Sequence, residues 1–160
     1  MKTLVVYYSA QDHTKKIAEE IAQDLQADLF EIVPKNIYTE DDLDWTNDES
    51  SCTREHANPE LRDIELSSTS VPNWAEYDRI IIGYPIWWGI AAWPVNSFVK
   101  SQDFTNKTVI PFCVSHSSGL GESDKELQTD ANGGEWQDGY RFFQDASPDD
   151  VESWTKSIAE

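Results

Sequence analysis

The hydrophobic positions of this chain fall into short solid runs separated by stretches with helical spacing. Leu4-Val5-Val6-Tyr7 is apolar without interruption, the pattern of a strand covered on both faces of a parallel sheet. From Thr14 onward Ile17, Ala18, Ile21, Ala22 and Leu25 recur at helical spacing, while Lys15, Lys16, Glu19, Glu20, Gln23, Asp24 and Gln26 fill the other side. This predicts a surface helix packed along one stripe. Leu29-Phe30-Glu31-Ile32-Val33 carries a charge in its middle and stops at Pro34, features that suit an edge strand.

Residues 35 to 76 are polar and weakly periodic, so most of the segment is expected to run over the surface. Asn58-Pro59 fits two placements: it caps a short helix through Leu61 and Ile64, with Pro at the first helical position, or it ends a preceding helix. Trp45 and Trp74 are large apolar residues in this polar stretch and are read as pins that hold it to the body. Asp78-Arg79-Ile80-Ile81-Ile82-Gly83-Tyr84 is the strongest strand signal in the chain and is expected at the centre of the sheet.

After it, Pro85 to Pro94 forms a loop, and Val95, Phe98 and Val99 continue at helical spacing with Pro94 near the first helical position. Thr108 to Val114 is the fourth strand. Pro111 in its middle lacks a ladder donor and predicts a bulge or an unpaired face there. A weak helical segment spans Ser123 to Ala131, Asn132-Gly133-Gly134 and Asp138-Gly139 are turns, and Tyr140-Arg141-Phe142-Phe143 is a short fifth strand. Ser147-Pro148-Asp149-Asp150 reads as a helix start with cap, Pro and acidic first turn, followed by an apolar face of Val151, Trp154 and Ile158.

Alternating strands and helices imply an α/β three-layer sandwich: a five-stranded parallel sheet of order 2-1-3-4-5 with helices on both faces. At 160 residues a single domain, 1–160, is expected. In such a sheet ligands bind beyond the carboxyl ends of the strands, at the switch point between strands one and three. The loops that begin at Ser9, Pro85 and Ser115 converge there.

Composition narrows the partners. The net charge is −18, from 30 acidic and 12 basic residues, which disfavours nucleic acid, because a phosphate backbone requires positive patches. The charge either steers a basic partner protein or keeps the chain soluble. Apolar runs are far shorter than the ~20 residues of a membrane span, and the N-terminus lacks a signal-peptide pattern, so a cytoplasmic protein is expected. Cys52 and Cys113 are the two cysteines, and they offer neither a disulfide framework nor a metal-binding spacing. Metal is not expected.

The first loop, Tyr8-Ser9-Ala10-Gln11-Asp12-His13-Thr14, joins a strand to a helix N-terminus, where unpaired N–H groups and the helix dipole favour an anion. Hydroxyls of Ser9 and Thr14, the Gln11 amide and the His13 imidazole add donors. The plainer reading is a capped helix start in which Ser9 or Asp12 bonds only backbone. The second loop offers Trp87 and Trp88, which point in different directions, and a glycine. The third, Ser115-His116-Ser117-Ser118-Gly119, offers small polar residues and accessible backbone. Flavin mononucleotide, FMN, has a phosphate, a flat aromatic system and a polar rim to match the three. Several charge-assisted phosphate contacts at about 1.5–3 kcal/mol each, with aromatic stacking at about 0.5–1.5 kcal/mol, are enough to anchor it.

These stretches resemble the flavodoxin family over nearly the whole chain. The likeness is closest to its bacterial single-domain branch, whose members carry a Tyr-Pro-Ile-Trp-Trp-Gly loop like residues 84 to 89. The resemblance implies that Ser9, Gln11, His13 and Thr14 take the FMN phosphate. It also implies that Pro85, Ile86, Trp87, Trp88 and Gly89, with Ser115, His116, Ser117 and Gly119, flank the ring. Asp12 stands where the family's phosphate loop has Gly. A carboxylate about 6 Å from a phosphate costs about 0.7 kcal/mol in water, unless it turns outward in the left-handed backbone that Asp tolerates. One of the two tryptophans is expected to pack inward and the other to lie against the flavin. Gly89 is either a peptide that flips beside the flavin or a plain turn, His116 a ring contact or a solvated loop residue, and His56 a surface residue.

Three functions follow. The first is an electron-transfer flavodoxin whose chemistry is carried by FMN, with no catalytic side chain and a redox partner protein. The second is an FMN-dependent NAD(P)H quinone-type oxidoreductase, with residues 35 to 76 as a lid. The third is a flavodoxin-fold binding domain that has lost the cofactor, with Asp12 as the sign of the loss. Either a monomer or a homodimer is compatible with the resemblance.

Overall fold

The computed structural model describes residues 2–159. Strand β1, Thr3–Tyr7, is buried at every position. Helix α1, His13–Leu25, buries Ile17, Ala18, Ile21 and Ala22 of the predicted stripe together with Thr14, and leaves Leu25 half-buried. Strand β2, Asp28–Glu31, pairs with β1 in parallel, Val5 opposite Leu29, and lies at the sheet edge. The charge at Glu31 is satisfied there by the Tyr7 hydroxyl, 3.1 Å away.

Strand β3, Arg79–Trp87, pairs with β1 and with β5, Thr108–Ser115. It is central, as its β-branched run predicted. A two-residue strand β4, Ile90–Ala91, folds back antiparallel on the end of β3. The outer strand beyond β5 is in two pieces: β6, Glu135–Trp136, pairs with the start of β5, and β7, Tyr140–Phe143, pairs with its end. The sheet therefore has seven strands where five were predicted. The parallel order 2-1-3-4-5 survives once β6 and β7 are counted as one interrupted strand and β4 as a hairpin appendage.

Pro111 explains the interruption. The carbonyls of Lys107, Val109 and Ser115 all accept bonds from the outer-strand side, from Glu135, Gln137 and Gln144. Backbone groups alternate sides along a strand, so Pro111, in the same phase, turns its nitrogen to that edge. It has no N–H to donate, and the ladder breaks between Val109 and Phe112.

Side chains alternating along the strands divide the core in two. Val5, Tyr7, Ile81, Ile110 and Phe112 face α1 and helix α5, Pro148–Ile158, which contributes Val151 and Trp154. Leu4, Val6, Ile80, Ile82, Tyr84, Val109 and Cys113 face the opposite layer. That layer holds helix α3, Trp93–Ser101, and helix α4, Ser123–Asp130. This is the predicted three-layer sandwich. Each fully buried Ile, Val or Phe contributes about 1.5–3 kcal/mol. The predicted cap at Ser147 forms at α5 and closes into a capping box, where Ser147 and Asp150 bond each other's backbone N–H groups.

The 35–76 segment follows the reading in which a helix ends before Asn58-Pro59: helix α2, Ser51–Ala57, stops there. A helix from Pro59 forms only as a short 3-10 turn, Pro59–Arg62, that stops before Ile64 and is not capped by the Asn58 side chain. Trp74 is a pin: its Nε1 donates to the Asp103 carbonyl at 2.8 Å, and its ring meets the edges of Phe98 and Phe104. Lys107 reinforces it, donating to the Trp74 and Tyr77 carbonyls at 2.8 and 2.6 Å. Trp45 is not a pin. It is 71% exposed, because the turns around it bond among themselves rather than to the core.

Candidate functional site

The loops after β1, β3 and β5 meet at the carboxyl ends of those strands around a cavity of about 570 Å³. That is within the usual range for small-molecule sites. Ser9, Gln11, His13 and Thr14 line it from the first loop, Pro85, Ile86, Trp87 and Trp88 from the second, and Ser115, His116 and Ser117 from the third. Of the residues singled out in the sequence, Asp12, Gly89 and Gly119 do not line it. Ala10, Val114, Ser118 and Gln144 are additional wall residues.

At the first loop Asp12 adopts φ 68, ψ −4, the left-handed region, and makes no side-chain bond to the helix it precedes. It borders a separate shallow depression shared with Lys15, Lys16 and Glu19, so its carboxylate turns outward but does not cap. The first intrahelical bond runs from Lys16 N–H to the Asp12 carbonyl. Among the described residues, no acceptor meets the N–H groups of His13, Thr14 and Lys15. Ser9 Oγ is buried without a partner among the described residues, which, with the uncapped Asp12 side chain, excludes the plain capped-helix reading. An unsatisfied buried hydroxyl costs about 1–3 kcal/mol, and an anionic oxygen delivered to this cradle would satisfy it together with the N–H groups. The residues present therefore fit a phosphate.

At the second loop β3 reverses into β4 through Trp88 and Gly89, at φ 50 and φ 80. Two successive positive φ values are what a type I′ hairpin turn requires. Gly89 adopts this freely, whereas a left-handed Trp costs about 1–2 kcal/mol. The Trp88 ring recovers part of that by stacking on His56, with centroids 4.4 Å apart and planes 9° from parallel, and more loosely on Trp93 at 6.0 Å. His56 is thus no free surface residue. Trp87 packs inward, edge-on to Tyr8, Tyr38 and Trp93 at 5.8, 5.3 and 4.9 Å. The two adjacent tryptophans do point in different directions.

Behind Trp87 the Glu55 carboxylate accepts from Tyr38 Oη at 2.5 Å and from Trp93 Nε1 at 2.8 Å. Burial first, and the carboxylate second, hold the Tyr38 and Tyr8 hydroxyls far above the ordinary tyrosine range. Both stay protonated. Burial likewise pushes the Cys113 thiol up to about 12, so it is inert packing.

The third loop is tied internally. Ser115 Oγ donates to the Ser118 carbonyl and accepts from Arg141 Nε at 2.9 Å. A further wall comes from residues 35 to 76, the segment expected as a lid in the reductase reading but without named residues: Leu43, Trp45 and Cys52 all line the cavity. The signal for Trp45 was visible, an aromatic side chain in an acidic loop, but its direction was not.

The flavodoxin family model matches residues 2–158. The chain belongs to the flavodoxin family. Two solved structures are similar along their whole length. One is a candidate flavoprotein from Bacteroides uniformis, 41% identical over 97% of both chains with a TM-score of 0.88. The other is a candidate flavoprotein from Bacteroides eggerthii, 33% identical over 99% of this chain and 98% of that one, with a TM-score of 0.87. A flavoprotein from Lactobacillus acidophilus, solved in complex with FMN, shares the fold at 24% identity and a TM-score of 0.65, over 96% of this chain and 98% of that one. No curated protein matches the sequence. The FMN expectation agrees with the family and with that complex. None of the described helices is long and apolar enough to cross a membrane.

Proposed function

We propose that this chain is a single-domain, cytoplasmic flavodoxin that binds FMN in the cavity at the strand ends and passes electrons to and from a partner protein. The observation that carries the reading is the buried, unpartnered Ser9 Oγ beside the free N–H groups of the α1 N-terminus. Bound FMN supplies reversible uptake and release of electrons; no side chain of the protein does that chemistry.

The protein's part is to bind and orient. Ser9, Thr14 and the N–H groups of residues 13 to 15 hold the phosphate at the positive end of the helix dipole. Trp88, fixed by His56, and the backbone groups of the 115–118 loop line the cavity and would hold the ring. Trp45, exposed and adjoining the cavity, shields the mouth from water. The net charge of −18 favours a partner with a basic docking surface. Asp12, turned toward the neighbouring depression, offers no ground for a domain that has lost its cofactor.

One observation favours a second reading, an FMN-dependent NAD(P)H reductase of quinone-like acceptors. Leu43 and Trp45 form a wall from a segment outside the three loops, as a lid over a small substrate would. Purified protein is expected to absorb in the flavin bands, or to acquire them when FMN is added. Colourless protein that leaves added FMN free rules out both readings. Sustained NAD(P)H oxidation with a quinone and no partner reductase selects the second.

A further inference from the structure

Arg141 stands outside the predicted site and outside the cavity wall, yet it touches a residue of that wall. It sits on β7 opposite Cys113 in the register. Its Nε donates to Ser115 Oγ at 2.9 Å, and its guanidinium lies 3.6 Å from the centroid of the Phe143 ring. Nη2 is buried with no acceptor among the described residues. Ser115 in turn donates its only hydroxyl proton to the Ser118 carbonyl. A hydroxyl has one proton and two lone pairs, so Ser115 has no donor left for a ligand. Its function within the loop is to close the 115–118 turn.

No lysine or arginine is among the residues that line the cavity. In a chain of net charge −18, the guanidinium behind Ser115 is a cation held against that wall by a hydrogen bond. Its field crosses the strand pair: burial raises the Cys113 thiol, and Arg141 pulls it back down.

We infer that Arg141 is a positioning residue for the bound flavin, holding the 115–118 loop in its binding shape through Ser115 and placing a fixed positive charge behind that wall of the cavity. This rests on the proposal that the cavity takes FMN. The loop shape governs affinity for oxidised and reduced flavin alike. The charge favours the reduced form, which carries more negative charge, and so raises the midpoint potential.

The test compares Arg141→Met, Arg141→Lys and Ser115→Ala with the unaltered protein. FMN dissociation constants come from flavin fluorescence, and midpoint potentials from titration of the loaded protein with dithionite. Arg141→Met is expected to weaken FMN binding by about ten- to a hundredfold, the worth of one charge-assisted hydrogen bond, and to lower the potential. Arg141→Lys restores the potential, because it keeps the charge, but not the full affinity, because an ammonium lacks the planar fork. Ser115→Ala weakens binding and lowers the potential less than Arg141→Met does, because the guanidinium loses its hydrogen bond but keeps its charge and its seat on the Phe143 ring. Where Arg141→Met does not fold, Arg141→Gln, which removes the charge but keeps a hydrogen-bond donor toward Ser115, carries the potential comparison, and a potential equal to that of the unaltered protein overturns the inference.

Affinities within twofold of the unaltered protein in all variants overturn the inference. So does weaker binding of Arg141→Met with an unchanged potential, which makes Arg141 purely structural. If the unaltered protein itself fails to take up FMN, the FMN reading falls and this inference falls with it. Uptake by the unaltered protein with indifferent variants removes this inference alone.

Discussion

His56 lies flat on Trp88, with ring centroids 4.4 Å apart and planes 9° from parallel. The contact joins α2, in the long surface segment, to the tip of the β3–β4 hairpin, where Trp88 holds a left-handed backbone at φ 50. Removing the imidazole leaves the strained turn without its support. His56→Ala is expected to lower stability by about 0.5–1.5 kcal/mol, the range for an aromatic pair. It should also loosen Trp88, seen as altered tryptophan fluorescence. An unchanged urea midpoint together with an unchanged emission spectrum removes this role.

Ser9 predicts opposite signs for stability and binding. Its buried Oγ has no partner, so Ser9→Ala removes an unsatisfied group, and the flavin-free protein should be as stable or more so. FMN binding should weaken by about tenfold or more, since a bond to an ionised group is lost. Thermal unfolding without ligand, set beside an FMN titration, checks both. Loss of stability without loss of affinity contradicts the placement of Ser9 at the phosphate.

Asp12 turns away from the cavity and holds φ 68. Asp12→Gly relieves the left-handed strain and should stabilise the fold by up to about 1 kcal/mol. FMN affinity should change by less than about threefold, the worth of one solvated charge at about 6 Å. A tightening beyond tenfold shows that the carboxylate faces the phosphate after all.

Alkaline pH should unfold this protein early. The folded state raises the Cys113 thiol from 9.0 to about 12 and the Tyr77 hydroxyl from 10.0 to about 12. Burial also raises Tyr7, Tyr8, Tyr38 and Tyr84. Each group keeps its proton longer when folded, so its contribution is fully present below its unfolded value and is lost as pH rises toward the folded one. For the thiol the window is pH 9 to about 12, and for Tyr77 pH 10 to about 12. The urea midpoint measured at pH 8, 9.5 and 11 should fall across that series; a level midpoint refutes the burial of these groups.

Much of the fold was legible because its signals are local. The solid run at Ile80–Ile82, the charge inside β2 and the 3.6-residue stripe of α1 each state how many faces a segment buries. Pro111 foretold an unpaired stretch from the missing donor alone. That the outer strand breaks into β6 and β7, and that β3 turns back into β4, depends on which side that nitrogen faces and on two positive φ values at Trp88 and Gly89. Neither is a property of composition.

The candidate site divides in the same way. The sequence alone determined that three loops meet at one end of a parallel sheet and that a helix N-terminus with nearby hydroxyls is among them, because strand order and chain direction follow from the alternation of elements. Only the tertiary structure decided that Asp12 faces away, that Trp45 borders the cavity instead of the core, that His56 supports Trp88, and that Arg141 reaches Ser115 from the far strand. Those contacts join residues from separate segments, and the direction of a side chain across such a gap is set by the packing of the whole chain.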